Sequence, residues 1–378
     1  QRTHWQKHQA YGAVEEALMG LRVFVTDCEG PVSKNDNAFE LTSRFIPMGD
    51  RFFTLVSRYD DVLADIVKKP KYKAGDTLKL ILPFLKAYGA TNEKMRVCSS
   101  ENILFVPGAD ETLRFVRSIM PSYIVSTSYE HYVSALCNAV GFPIQNAYCT
   151  RADLDKYAIN KKESQRLKVL REEISKMQMI EIPVGARVWA DLSAECQRAV
   201  RRLDDVFWGE LSVMDVGRML REVNPIGGYE KANAVKEIAE KTGAGISDIM
   251  YVGDSITDID PFRLVKEQEG LTVSFNGNQY AIREADIAVM SHHTAVISIL
   301  AETFGRLGTE QAIELAEDWS EASLQELLST SLLGQIEALP PGKAPRVERI
   351  TPENRTKLAE ESSMFRKTVR GEAIGRLG

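Results

Sequence analysis

Two short apolar runs in this chain each end in acids. Residues 22 to 30 read Arg-Val-Phe-Val-Thr-Asp-Cys-Glu-Gly, so a β-prone run stops at Asp27 and Glu29, with Gly30 next. Far downstream, Ile249, Met250, Tyr251 and Val252 lead into Gly253, Asp254, Ser255, Ile256, Thr257 and Asp258. In a parallel α/β sheet, ligands bind at the carboxyl ends of strands. Two such acid-rich ends would bring several carboxylates together. Close like charges repel, so the cluster calls for a cation. Hard oxygen ligands of this kind suit Mg²⁺. A carboxylate at Asp27, beside a cation, can attack phosphorus and form an aspartyl-phosphate. Glu29 could protonate the leaving oxygen and later activate water. The competing reading of both is an acid that caps a turn.

Three further positions have the right chemistry. Ser126 follows the apolar Tyr123, Ile124 and Val125. Its hydroxyl, with nearby backbone N–H groups, could hold a phosphoryl oxygen; a serine in a Ser/Thr-rich turn is the alternative. Lys231 opens a helical pattern through Val235, Ile238 and Ala239, just past Gly227 and Gly228. It could screen charge between Asp27 and a phosphate, or it could be a solvated surface lysine. Asp254 and Asp258 are one helical turn apart, which lets both face one side. A turn followed by a helix N-cap gives the same letters.

These residues need a scaffold. Strand signals fall at Arg22–Thr26, Tyr123–Val125, Ile249–Val252, Leu271–Phe275 and Ile287–Met290, most of them followed by helical patterns. Alternating strand and helix predicts a Rossmann-like three-layer α/β/α core with a parallel sheet. Between the first two strands, Phe52, Leu55, Val56, Tyr59, Val62, Leu63 and Ile66 recur at helical spacing, as do Leu78, Ile81, Leu82 and Leu85. About 70 residues far exceed one crossover, so 34–101 reads as an inserted all-helical domain. A second, mostly helical insertion spans 150–225. Its charged stretch 160–180 carries Leu167, Leu170, Ile174 and Met177 on one stripe, as an exposed amphipathic hairpin or an oligomer contact would. The sheet domain is then 1–33, 102–150 and 226–305. Residues 306–378 form a helical tail, broken by Pro340, Pro341 and Gly342, which docks on a neighbour or stays mobile.

Composition narrows the class. The 378 residues are 44% hydrophobic and 26% charged, values usual for a globular protein. The net charge of -6 argues against nucleic acid as a partner. No apolar stretch approaches the ~20 residues of a membrane span, and residues 1–20 lack the layout of a signal peptide. The five cysteines (Cys28, Cys98, Cys137, Cys149, Cys196) are odd in number and form no C-x-x-C pair. Zinc and a disulfide framework are poorly supported, and a cytoplasmic setting fits best.

The ordered set is more specific than its parts. An Asp-x-Glu-Gly after the first strand, a serine after a later strand, a lysine, and Gly-Asp-x-x-x-Asp after another strand together resemble the haloacid dehalogenase superfamily of phosphohydrolases. Val106, Pro107, Gly108 and Ala109 look like the turn ahead of its second motif. Phe275 to Asn278 and Arg283 to Asp286 look like its late strand and helix. The resemblance implies Asp27 as nucleophile and Glu29 as general acid/base, with Ser126 and Lys231 as phosphate holders. It implies Mg²⁺ bound by Asp27, Glu29 (through its main-chain carbonyl) and Asp254, with Asp258 behind them. Most members carry aspartate where this chain has Glu29, and threonine or valine where it has Pro31. The second acid counts against the dehalogenase branch, which lacks it. Transport ATPases have threonine there and membrane spans besides.

The 34–101 block resembles the helical cap of the phosphoserine-phosphatase-like branch. By that likeness Asp36 and Lys79 are candidate substrate contacts in the cap, with plain surface charge as the alternative. The second insertion is foreign to that branch, so phosphoserine is not carried over as substrate. His292 and His293 read as a solvated loop, His131 as packing, and Cys28 as a small buried filler. The expectation is a Mg²⁺-dependent phosphatase for a small phosphorylated metabolite, with no nucleic acid or membrane partner. A homo-oligomer could form through the insertion or the tail. The rivals are a phosphotransferase to a non-water acceptor and a catalytically silent binding protein.

Overall fold

The structure, a computed structural model, describes residues 21–183, 185–328, 332–334 and 343–377. Residues 1–20, the Pro340–Gly342 break and other parts of the tail (329–331, 335–339 and 378) lie outside the described residues.

The central sheet follows from strands that are apolar on both faces. In β1 (Val23–Thr26), Val23 and Val25 pack with Val235 and Ile238 of the helix Tyr229–Thr242 and with Phe262 of the helix Ile259–Glu267. Phe24 points the other way, to Leu300 and Phe304 of the helix Ala295–Leu307. The same alternation divides Ile249 and Tyr251 from Met250 and Val252 in β4 (Ile249–Gly253). A sheet buried on both faces between helices is the three-layer α/β/α, Rossmann-like arrangement. Its other parallel members are β2 (Ser122–Tyr129), β3 (Ala147–Thr150), β5 (Leu271–Phe275) and β6 (Ile287–Met290).

The strand order is β3-β2-β1-β4-β5-β6-β7. Successive connections run outward from β1 to β3, then cross back to β4 and run the other way. The order therefore reverses between β1 and β4, which opens the ligand crevice of such sheets at their carboxyl ends. The seventh strand, β7 (Arg346–Arg349), comes from the tail and pairs antiparallel with β6. Only Val347 of it is buried, and charged Arg346 and Arg349 are exposed, a composition suited to a sheet edge. The tail is thus part of the sheet domain.

The two insertions share one hydrophobic core. Leu55, Phe52 and Tyr59 of the helix Gly49–Asp61 and Leu82 and Phe84 of Thr77–Ala87 meet the stripe Leu167, Leu170 and Ile174 of Lys161–Lys176. Phe207, from the second insertion, stacks on Tyr59 at 5.7 Å and meets Phe84 edge-on at 6.2 Å. The stretch 160–180, expected as an exposed amphipathic hairpin or an oligomer contact, carries a single cap helix with its stripe in this core, N-capped by Asn160, whose side chain accepts from Glu163 N at 2.8 Å. Its polar face stays in water, which accounts for its charged sequence. Among the described residues, no helix is long and apolar enough to cross a membrane.

Candidate active site

The reversal point puts the acids of β1 and β4 side by side. Asp27 N donates to Val252 O at 2.8 Å, which locks the two strand ends in register. Lys231, third residue of its helix and with no exposed surface, reaches between them. Its Nζ donates to Asp27 Oδ2 at 2.5 Å and to Asp258 Oδ1 at 2.8 Å. Burial pulls the lysine pKa down, but Asp258 and Asp27 more than offset this and raise it. Burial pushes Asp27 up to about 7; Lys231 opposes that rise, and Asp258 and Asp254 add to it.

Asp258 does not extend a helical face with Asp254. Its Oδ2 accepts from Asp254 N at 2.9 Å and Ser255 N at 3.0 Å, and its Oδ1 also accepts from the Tyr251 hydroxyl at 2.7 Å. It braces the loop that carries Asp254. Gly253 is required here because a Cβ would run into the Asp258 side chain. Gly30, at φ +108°, is required twice over: the backbone is left-handed and a Cβ would strike Asp254. Asp27, Asp254 and Asp258 each offer a carboxylate oxygen within 4.8 Å of the others. This buried, all-oxygen set fits a divalent cation of the Mg²⁺ type.

Glu29 turns toward the cap, where its Oε1 accepts from Asn37 N at 2.7 Å. Burial, then the neighbouring Asp36, raises its pKa well above the usual carboxylate range. Asp36 N-caps the helix Asn37–Phe45 by accepting from Phe39 N at 2.9 Å, and it lines the same cavity, of about 90 Å³, as Asp27 and Glu29. Lys79 is elsewhere: its Nζ donates to Asp76 Oδ2 at 2.6 Å, and it is absent from the cavity wall. Ser126 is buried, with its hydroxyl accepting from Ser128 N at 3.2 Å. Thr127 and Ser128 face the cavity instead. Thr127 Oγ1 is buried with no partner among the described residues, and the Ser128 hydroxyl lies beside Glu29 without a formed hydrogen bond.

Two residues of the site escape the sequence reading. Arg366 and Arg370, from the C-terminal helix Arg355–Arg370, line the cavity and both bind Asp254 Oδ2, Arg370 at 3.1 Å. Arg370 also holds the carbonyls of Lys34, at 3.1 Å, and Asn35, on the segment that leads into the cap. The available signal is the polar face Ser362, Arg366 and Arg370 at four-residue steps. Away from the cavity, His292 and His293 lie in a loop and are half-buried: His292 packs on Phe365 at 4.7 Å, and His293 Nδ1 accepts from Ala295 N at 3.1 Å. Cys28 is fully buried, as its filler reading requires.

The sheet order and the helical insertions make this a Rossmann-like three-layer α/β/α core carrying an inserted helical cap, with acids at two adjacent strand ends. No protein-family model matches the chain. Among solved structures it is similar to the gene product AF1437 from Archaeoglobus fulgidus, with 26% identity, 95% of this chain and 99% of that one covered, and a TM-score of 0.75. It is distantly similar to a substrate-bound phosphoserine phosphatase (15% identity, 73% of this chain and 96% of that one, TM-score 0.42). The apo form of a phosphoserine phosphatase gives 14%, 73%, 97% and 0.40. Likeness at these last two levels says nothing of activity or substrate.

Proposed function

We propose that this protein is a Mg²⁺-dependent phosphatase that hydrolyses a small phosphate monoester through an aspartyl-phosphate on Asp27. The observation that carries the reading is Lys231 bridging Asp27 and Asp258, with Asp254 within reach, at the reversal point of the sheet. A divalent cation bound by Asp27, the main-chain carbonyl of Glu29 and Asp254 would supply positive charge against the phosphoryl oxygens.

The chain's own groups do the rest. An Asp27 oxygen attacks phosphorus, the bond to the leaving oxygen breaks, and that oxygen takes the proton of Glu29. The raised pKa of Glu29, caused first by burial and then by Asp36, favours the protonated form that this acid role needs. In the second half Glu29, now ionised, takes a proton from water as the water attacks phosphorus. The Asp27–phosphorus bond breaks, and phosphate leaves. Lys231 offsets charge between Asp27 and the phosphoryl group, while the Thr127 hydroxyl holds one of its oxygens. The cap shields these steps from bulk water and selects the leaving group.

Release of phosphate from p-nitrophenyl phosphate tests the reading. The expected activity requires Mg²⁺, disappears with EDTA, and drops by at least ~10³-fold in Asp27→Asn, as loss of a covalent nucleophile should. Mg²⁺-independent release, or full activity in Asp27→Asn, would sink it. Added alcohol distinguishes transfer from hydrolysis: a phosphatase yields inorganic phosphate, and a phosphotransferase yields the alkyl phosphate.

A further inference from the structure

The C-terminal helix brings two guanidinium groups into the catalytic cavity, and phosphoryl transfer through Asp27 and Glu29 uses neither. Arg366 is 3% exposed. Its Nη1 donates to both Asp254 Oδ2 and, at 3.3 Å, Asp254 O. Its Nε is buried with no partner among the described residues. An unsatisfied buried N–H is costly and calls for an explanation. The Thr127 hydroxyl, on another wall of the same cavity, is a second such group. Unsatisfied donors that meet at one cavity beside a nucleophile have the chemistry of an oxyanion site.

Charge points the same way. Asp27, Asp254 and Asp258 are already matched by Lys231, Arg366 and Arg370. A bound divalent cation would add two positive charges to this matched set; Glu29, Asp36, Asp60 and Asp61 also line the cavity, outside the set. Arg370 is fully engaged, by Asp254 and by the carbonyls of Lys34 and Asn35, so it sets the position of the helix end. Arg366 is the one with a free edge.

Resting on the phosphatase reading, we propose that Arg366 is a phosphate-holding residue delivered to the site by the C-terminal helix, and that Arg370 is the positioning residue that seats it. The guanidinium fork suits two oxygens of one phosphoryl group.

Calorimetric titration of inorganic phosphate into the Mg²⁺-loaded full-length protein tests this. Arg366→Met is expected to weaken phosphate binding at least tenfold, Arg366→Lys to recover part of it, and Arg370→Met to weaken it less. The KM for p-nitrophenyl phosphate should rise in the same order, with a smaller effect on kcat in Arg370→Met. In wild-type protein, the Arg366 Nε–H resonance, identified by its loss in Arg366→Lys, should shift when phosphate is added. That measurement decides the matter even if Arg366→Met fails to fold. Unchanged phosphate affinity in folded Arg366→Met, or an unmoved Nε–H resonance, overturns the proposal. So does tighter Mg²⁺ binding with phosphate affinity unchanged, since the helix would then be a competitor of the cation. A wild-type protein that neither turns over p-nitrophenyl phosphate nor binds phosphate overturns the phosphatase reading as well. Normal turnover with an indifferent Arg366→Met overturns the arginine alone.

Discussion

Lys231 is an amine with no exposed surface, held between two carboxylates by bonds of 2.5 and 2.8 Å. Removing one member of a buried ionic group leaves the others uncompensated, typically at about 3–5 kcal/mol. Lys231→Met should therefore lower unfolding free energy by roughly that amount in urea titrations, besides abolishing turnover. A surface lysine would give a change near zero. Glu40 offers a pH test outside the acid cluster. It accepts from Asn35 Nδ2 at 2.7 Å, and burial, against the pull of Asn35, raises its pKa to about 7. The folded chain holds that proton more tightly than the unfolded chain. Its contribution to stability is complete below the ordinary carboxylate range and is lost as pH rises toward 7. Glu40→Gln should thus lose less melting temperature than wild type between pH 5 and pH 8. The sequence shows Asp27, Asp254, Asp258 and Lys231 because each follows a strand signal or opens a helical pattern. It hides Arg366 and Arg370, because an arginine on a helix reads as solvated until the helix is seen to end on Asp254.

At the level of elements, the cap is where physical pattern and tertiary context part. The stripe Leu167, Leu170 and Ile174 announces an amphipathic helix but not its partner, and the charged remainder suggests isolation. The partner is the other insertion, reached over a long sequence separation that periodicity cannot register. Leu170 has no exposed surface and lies inside this shared core. Leu170→Ala should cost about 2–5 kcal/mol, through lost transfer energy and the cavity left behind. The check is denaturant unfolding; a change under ~0.5 kcal/mol would mean a solvated helix. Of the six parallel strands among the described residues, the half-exposed edge strand β3 gave no signal, and the other five were legible from apolar runs bounded by turns. β7 was not, since an edge strand with one buried residue, Val347, has too little apolar content to stand out.

For the molecule as a whole, cap and core are joined by polar seams as well as by chain. Asp65, on the π-helical turn Val62–Ile66 of the cap, accepts from Arg283 of the core helix Gln279–Glu284 at 3.0 and 3.2 Å. Arg283 is also tied to Glu284 at 2.8 Å, and Glu284 to Arg263 at 2.7 Å. Charge-assisted bonds with little exposure are worth about 1.5–3 kcal/mol. Arg283→Met should raise hydrogen exchange in Val62–Ile66 roughly tenfold or more, while the strands of the sheet keep their protection.

The cap is built from two separate excursions of the chain, so two pairs of backbone crossings tether it to the sheet domain. A lid on one pair of tethers can swing wide. A body anchored twice can only rock, and it opens a slit whose width is fixed by the geometry of the anchors. Compounds too bulky for that slit would be refused before any bond is made or broken. Discrimination against large phosphorylated molecules would then come from the connectivity of the polypeptide, whatever side chains line the way in.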